Sequence, residues 1–91
     1  MKLKIFSIYD SKVEAYKQPI FMRNRGEAVR GIMECQAQND HPFAKYPADF
    51  TLFELGEYDD SSGLLTSLPA PISHGNLLEY YNTTTQLKLA Q

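Results

Sequence analysis

The chain has one cysteine, Cys35, among its 91 residues, which excludes an intrachain disulfide and fits a reducing compartment. Long apolar runs are also missing. The longest stretch without Asp, Glu, Lys or Arg, Ser61 to Leu78, is broken by Gly63, Pro69, Pro71 and Gly75, so it cannot cross a bilayer as a helix. The opening Met1-Lys2-Leu3-Lys4-Ile5-Phe6-Ser7 lacks the apolar core and small-residue cleavage site of a secretory signal. An intracellular protein with no membrane partner is expected. Cys35, His41 and His74 are the only cysteine and histidines, without a second pair at zinc spacing, so no metal or other cofactor is expected. A Cys35–His41 nucleophilic pair is disfavoured, because the carboxyl end of a helix raises a thiol pKa. With no nucleophile, base and charge stabiliser grouped together, the chain does not read as an enzyme.

What is present is a globular composition, 43% hydrophobic and 22% charged, too apolar for disorder. A mass of 10.4 kDa fits one domain, whose folded surface should be about 5,400 Å². The net charge of −2 hides an asymmetry. Residues 1–30 carry Lys2, Lys4, Lys12, Lys17, Arg23, Arg25 and Arg30 against three carboxylates, and the remaining residues are strongly acidic. Such a polarity can supply a phosphate-binding surface, or reflect an ordinary solvated face.

Alternation of Leu3, Ile5, Ser7 and Tyr9 against Lys2, Lys4, Phe6 and Ile8 predicts an amino-terminal strand with apolar residues on both faces. A second short strand is expected at Ile20-Phe21-Met22, after Pro19. Asn24 followed by Glu27 three positions later marks a helix start, with Ala28, Val29, Ile32 and Met33 as its buried stripe and Asn39, Asp40 and Pro42 as its end. Residues 41–49 read as a loop pinned by Phe43 and Tyr46. Phe50–Tyr58 and Leu64–Leu68 around Asp59-Asp60-Ser61-Ser62-Gly63 predict a β-hairpin. Strand alternation then puts Glu54 and Glu57 on opposite faces. Leu77–Tyr81 fits a helical turn capped by Ser73, or a last strand.

The expected fold is α+β, a small, mainly antiparallel sheet with one main helix in the order β-β-α-β-β, as one domain over 1–81. The remainder, 82–91, reads as a polar tail, poorly ordered unless it docks on a sheet edge. Since one helix covers only one sheet face, the other face of the first strand is expected to bind a partner or to pair as a homodimer.

Cations interleaved with aromatics suit single-stranded nucleic acid, because phosphates are neutralised while unpaired bases stack on rings. The candidate binding residues are Lys2, Lys4, Tyr9, Lys12, Tyr16, Lys17, Arg23, Arg25 and Arg30. Duplex readout is less favoured, since Glu27 and Glu34 on the helix would meet phosphates in a major groove.

The string from Lys4 to Tyr16, followed by Gln18-Pro19-Ile20-Phe21, resembles the small nonstructural proteins of microviruses, especially the gokushovirus branch. Gly26–Arg30, Pro47–Asp60 with Gly63, and Pro71-Ile72-Ser73 fit the same pattern. The resemblance implies a protein of the infected host's cytoplasm, absent from the mature shell. It also implies DNA binding during viral DNA synthesis or the switch to single-strand production and packaging. The alternative is a dimeric, non-enzymatic adaptor for the replication initiator, a host factor or the procapsid. The resemblance supplies no catalytic residues.

Overall fold

The computed structural model describes residues 1–89, with side chains described through Thr83. In chain order it forms β1 (Lys2–Asp10), β2 (Ala15–Tyr16), β3 (Ile20–Met22), α1 (Arg25–Gln36), α2 (Pro42–Lys45), a 3₁₀ turn (Pro47–Asp49), β4 (Phe50–Asp59), β5 (Leu64–Asn76) and α3 (Leu77–Leu89). The class is α+β with an antiparallel sheet, as expected. The two-strand, helix, two-strand order gains β2, α2, the 3₁₀ turn and α3. β4 lies on one side of β1, β2 and β3 share the other, and β5 flanks β4 as the far edge. Between β2 and β3, the Lys17 N–H donates to the Ile8 carbonyl at 2.8 Å and the Ser7 hydroxyl donates to the Lys17 carbonyl at 2.6 Å. The interrupted edge is thus held to β1 along its length.

The alternation of β1 decides where the core lies. Phe6 and Ile8 are buried with Phe50, Leu52, Ala28, Ile32 and Leu77, so β1, β4, α1 and α3 converge on one face. Phe6, Leu52 and Leu77 are sealed completely, each burial contributing about 1.5 to 3 kcal/mol. Gln36 sits among them at 1% exposure. Its Nε2 donates to the Leu77 carbonyl at 2.8 Å and the Phe43 carbonyl at 3.2 Å, tying α1 to the first residues of α3 and α2.

Asn24 caps α1 as its sequence predicts. Its backbone is extended, and its Oδ1 accepts the Glu27 N–H at 3.0 Å, a cap contributing about 1 kcal/mol. The helix stops at Gln36 rather than near Asn39, because the Gln38 N–H turns back to the Cys35 carbonyl and begins a tighter turn. Residues 41–49 hold α2 and the 3₁₀ turn in place of the expected loop. Phe43 packs against Phe50 with ring centroids 4.9 Å apart, whereas Tyr46 is 57% exposed and pins nothing. The cap of α3 is Asn76, whose Oδ1 accepts the Leu78 N–H at 2.9 Å, and not Ser73.

α3 runs through residue 82 to Leu89, so the weak alternation of the threonine-rich segment does not make a strand. The Thr83 hydroxyl donates to the Glu79 carbonyl one turn back, satisfying that side chain within the helix. Positions 90–91 of the expected tail lie outside the described residues.

The hairpin turn closes through Gly63, whose φ of 76° is the left-handed conformation that favours glycine. Beyond it, Gly56 pairs with Ser67 while Glu54 pairs with Ile72. Leu68-Pro69-Ala70-Pro71 therefore arches away opposite Leu55, where prolines remove no ladder donor.

Two glycines should respond in opposite senses to alanine. A Cβ on Gly56 would press into the Thr66 carbonyl and approach the Ser67 Cα at 3.1 Å, backbone atoms that cannot rotate aside. Gly56→Ala should lose roughly 1 to 3 kcal/mol. Gly31 has open space in mid-helix, so Gly31→Ala should gain about 0.5 to 1 kcal/mol. Urea unfolding of both variants measures the two signs.

Candidate nucleic-acid interface

The register of β1 and β4 fixes the fate of the first two lysines. Lys4 lies opposite Glu57 and Phe6 opposite Glu54, so Leu55 is an extra residue in β4. This bulge restores Glu54 and Glu57 to one face, correcting the simple alternation that separated them. It is the face of Lys2 and Lys4. The Lys2 Nζ stands 3.9 Å from the Glu57 carboxylate, and the Lys4 Nζ 3.7 Å from Glu54. Glu54 is buried, and its other oxygen lies 2.9 Å from the His74 Nε2. Lys4 and His74 therefore compensate a carboxylate that would otherwise be buried alone.

Arg23 is held in the same way at the start of α1. Its backbone N–H donates to Glu27 Oε1 at 2.6 Å, its Nε to Oε2 at 2.9 Å, and its Nη2 lies 2.7 Å from Oε2. One carboxylate thus completes the cap and grips a guanidinium. The Arg25 Nη2 donates to the Tyr80 hydroxyl at 3.1 Å, and that hydroxyl donates to the His74 carbonyl. Arg25 keeps its charge but serves the α1–α3 contact. Among the described residues, no ion pair holds Lys12, Lys17, Arg25 or Arg30. The seven cations thus divide into three with carboxylate partners and four without.

The aromatic candidates lie on the face away from the core. Tyr9 and Tyr16 are paired across β1 and β2, with ring centroids 4.9 Å apart. Phe53 of β4 completes the group, 5.6 Å from Tyr16 and 6.4 Å from Tyr9. Tyr16 is 44% exposed, while Tyr9 and Phe53 are half-buried. Further along the face, Phe21 and Tyr58 meet at 5.5 Å beside Leu3 and Ile5. Phe53 and Tyr58 are absent from the sequence-derived set. Phe53 was legible as the residue out of phase with buried Phe50 and Leu52, but Tyr58 was not, because the bulge resets the phase.

Lys12 follows β1 in the turn toward β2, and Lys17 follows Tyr16, so the two lysines bracket the ring cluster along the edge. The Lys17 Nζ stands 5.6 Å over the Phe50 ring, a cation–π contact that leaves its charge in place. The nine candidates are therefore not one surface. Tyr9, Lys12, Tyr16 and Lys17 gather at one end of β1, whereas Lys2, Lys4 and Arg23 are occupied toward the other.

Cys35 lines an apolar groove of about 300 Å³ between α1 and β3, together with Ile20, Met22 and Phe43. His41 is engaged elsewhere, accepting the Phe43 N–H on Nδ1 at 3.0 Å. No group of three or more His, Cys, Asp or Glu side chains that could hold a metal occurs among the described residues. No helix among them is long and apolar enough to cross a membrane.

Compared with known families, residues 3–80 match the sequence pattern described as Phage ORF5 protein. No curated protein and no solved structure matches the chain.

The Arg23–Glu27 grip has a pH signature. The guanidinium hydrogen bond, then the Arg23 backbone N–H, hold the Glu27 carboxyl below its ordinary 4.5. A depressed folded-state value means the stabilisation is present above the unfolded value and lost as pH falls through the folded one. Unfolding midpoints should therefore drop below pH 4.5, and Glu27→Gln should lower the neutral midpoint and flatten the acid slope. Asp59, held low chiefly by the Ser61 N–H, keeps a residual slope in that variant. Urea unfolding across an acid series measures both.

Proposed function

Because this chain belongs to the Phage ORF5 protein family, we propose that it is a phage nonstructural protein of the microvirus type that binds single-stranded DNA without catalysing a reaction. The observation that carries this reading is the uncovered cluster of Tyr9, Tyr16 and Phe53 beside Lys12 and Lys17. Bases stack on the exposed ring of Tyr16 and its neighbours, and the two lysines meet the phosphates along the edge of the sheet. Lys2, Lys4 and Arg23 are left out of the contact set, since each already serves a carboxylate. Arg25 and Arg30 act on the incoming strand through the field around α1 rather than by stacking contacts. Acting in the host cytoplasm, such a protein would shield or guide nascent viral single strands during synthesis or packaging.

A second reading has its own observation. The positions of the open face, Leu3, Ile5, Tyr9, Phe53 and Tyr58, include no charged residue, which also suits a protein partner such as a replication initiator or a procapsid subunit.

Fluorescence anisotropy with labelled thymidine oligonucleotides separates the two. Tyr16→Ala should weaken binding about 5- to 150-fold, the equivalent of one lost stacking contact. Lys12→Gln with Lys17→Gln should lower the slope of log affinity against log salt by roughly 1.4. Absence of wild-type binding at low salt, or a Tyr16→Ala variant that binds normally, overturns the DNA reading and leaves the adaptor.

A further inference from the structure

We propose that two copies of this chain join edge to edge through β5, the Leu64–Ser67 stretch of one protomer pairing antiparallel with the same stretch of its partner. The sheet has β5 at its end, 13 residues long, with its far side unpaired. Natural edge strands are blunted by charge, proline or cover. β5 contains no Lys, Arg, Asp or Glu anywhere from Leu64 to Asn76. Proline guards only its middle, at Pro69 and Pro71, and cover reaches only its end, where the Asn76 Nδ2 donates to the Ala48 carbonyl at 3.0 Å. Leu64 to Ser67 has neither.

The side chains of that stretch point to an apolar occupant. Leu64 and Leu65, successive residues on opposite faces of the strand, are 67% and 65% exposed. A further strand laid alongside would shield both, whereas a partner docking on one face would shield only one. Charge selects a second copy over DNA or a charged segment. A neutral stretch meets itself without like-charge contact, and phosphates would find no cation on β5 while facing Glu57 and Asp59 on β4. In the paired sheet the β4 acids of the two copies lie three strand spacings apart, about 14 Å, beyond the screening length of about 8 Å.

Surface area agrees with an unfilled interface. The chain exposes 6021 Å², against about 5,400 Å² for a monomer of this mass. The excess approaches the roughly 800 Å² that one partner buries in a standard interface. The pairing is isologous, each Leu64–Ser67 meeting its counterpart about a two-fold axis, so it closes as a dimer and leaves no free edge to propagate.

Multi-angle light scattering at tens of micromolar tests the pairing. The wild-type chain should show a dimer mass, and Leu64→Lys with Leu65→Lys a monomer mass with unchanged circular dichroism. As an independent check, Leu65→Cys in a Cys35→Ser background should oxidise to a covalent dimer at low protein concentration. A monomeric wild type, or a dimer that survives the lysine pair, overturns the proposal. So does a dimer lost only on substituting the open face with Tyr16→Lys. None of these outcomes depends on whether the protein retains DNA.

Discussion

The antiparallel ladder between β1 and β4, from Lys2–Asp59 to Asp10–Phe50, is the constraint on which the rest of the molecule depends. β1 is flanked on both sides, so its alternation sets which face of the sheet is covered and which stays open. Phe6 and Ile8 draw α1 and α3 to one side. The same strand leaves Tyr9 and Ile5 on the other. One extra residue, Leu55, then decides how the acidic strand meets the basic one. Without the bulge, Glu57 would turn away from Lys4, and the amino-terminal lysines would stand as free cations.

Much of this arrangement was legible in the chain, for identifiable reasons. Strong local signals survived folding: the two-faced alternation of β1, the Asn24–Glu27 cap, the three-residue strand after Pro19, and the hairpin around Gly63. Signals that depend on pairing across the chain did not. A bulge has no mark in a single strand's pattern, so the faces of Glu54 and Tyr58 came out wrong or unread. The helix α3 was hidden because Asn82 to Thr85 are poor helix formers, overridden where Leu77 anchors the helix start in the core and Asn76 caps it.

The charge asymmetry of the sequence meets a similar limit. Basic and acidic thirds of a chain need not become basic and acidic surfaces when their strands pair. Here β1 and β4 lie side by side, and part of the asymmetry is consumed in holding the sheet and the helix cap together. Lys2 and Lys4 are laid against Glu57 and Glu54, and Arg23 turns to Glu27 one helical turn away. What survives as an accessible feature is aromatic more than electrostatic: a row of rings on an uncovered sheet, with Lys12 and Lys17 beside Tyr16.

The single amide of Gln36 links three helices through carbonyls that belong to different segments. Removing it would strand the Leu77 carbonyl in a dry environment, so the first turn of α3 cannot lift from the sheet without also loosening α2. The helical layer is thereby made to breathe as one body. Fluctuations that admit water must arise either as a concerted opening of that whole layer or at the distant hairpin. The hairpin can therefore rearrange around a visitor while the opposite side of the molecule keeps time undisturbed.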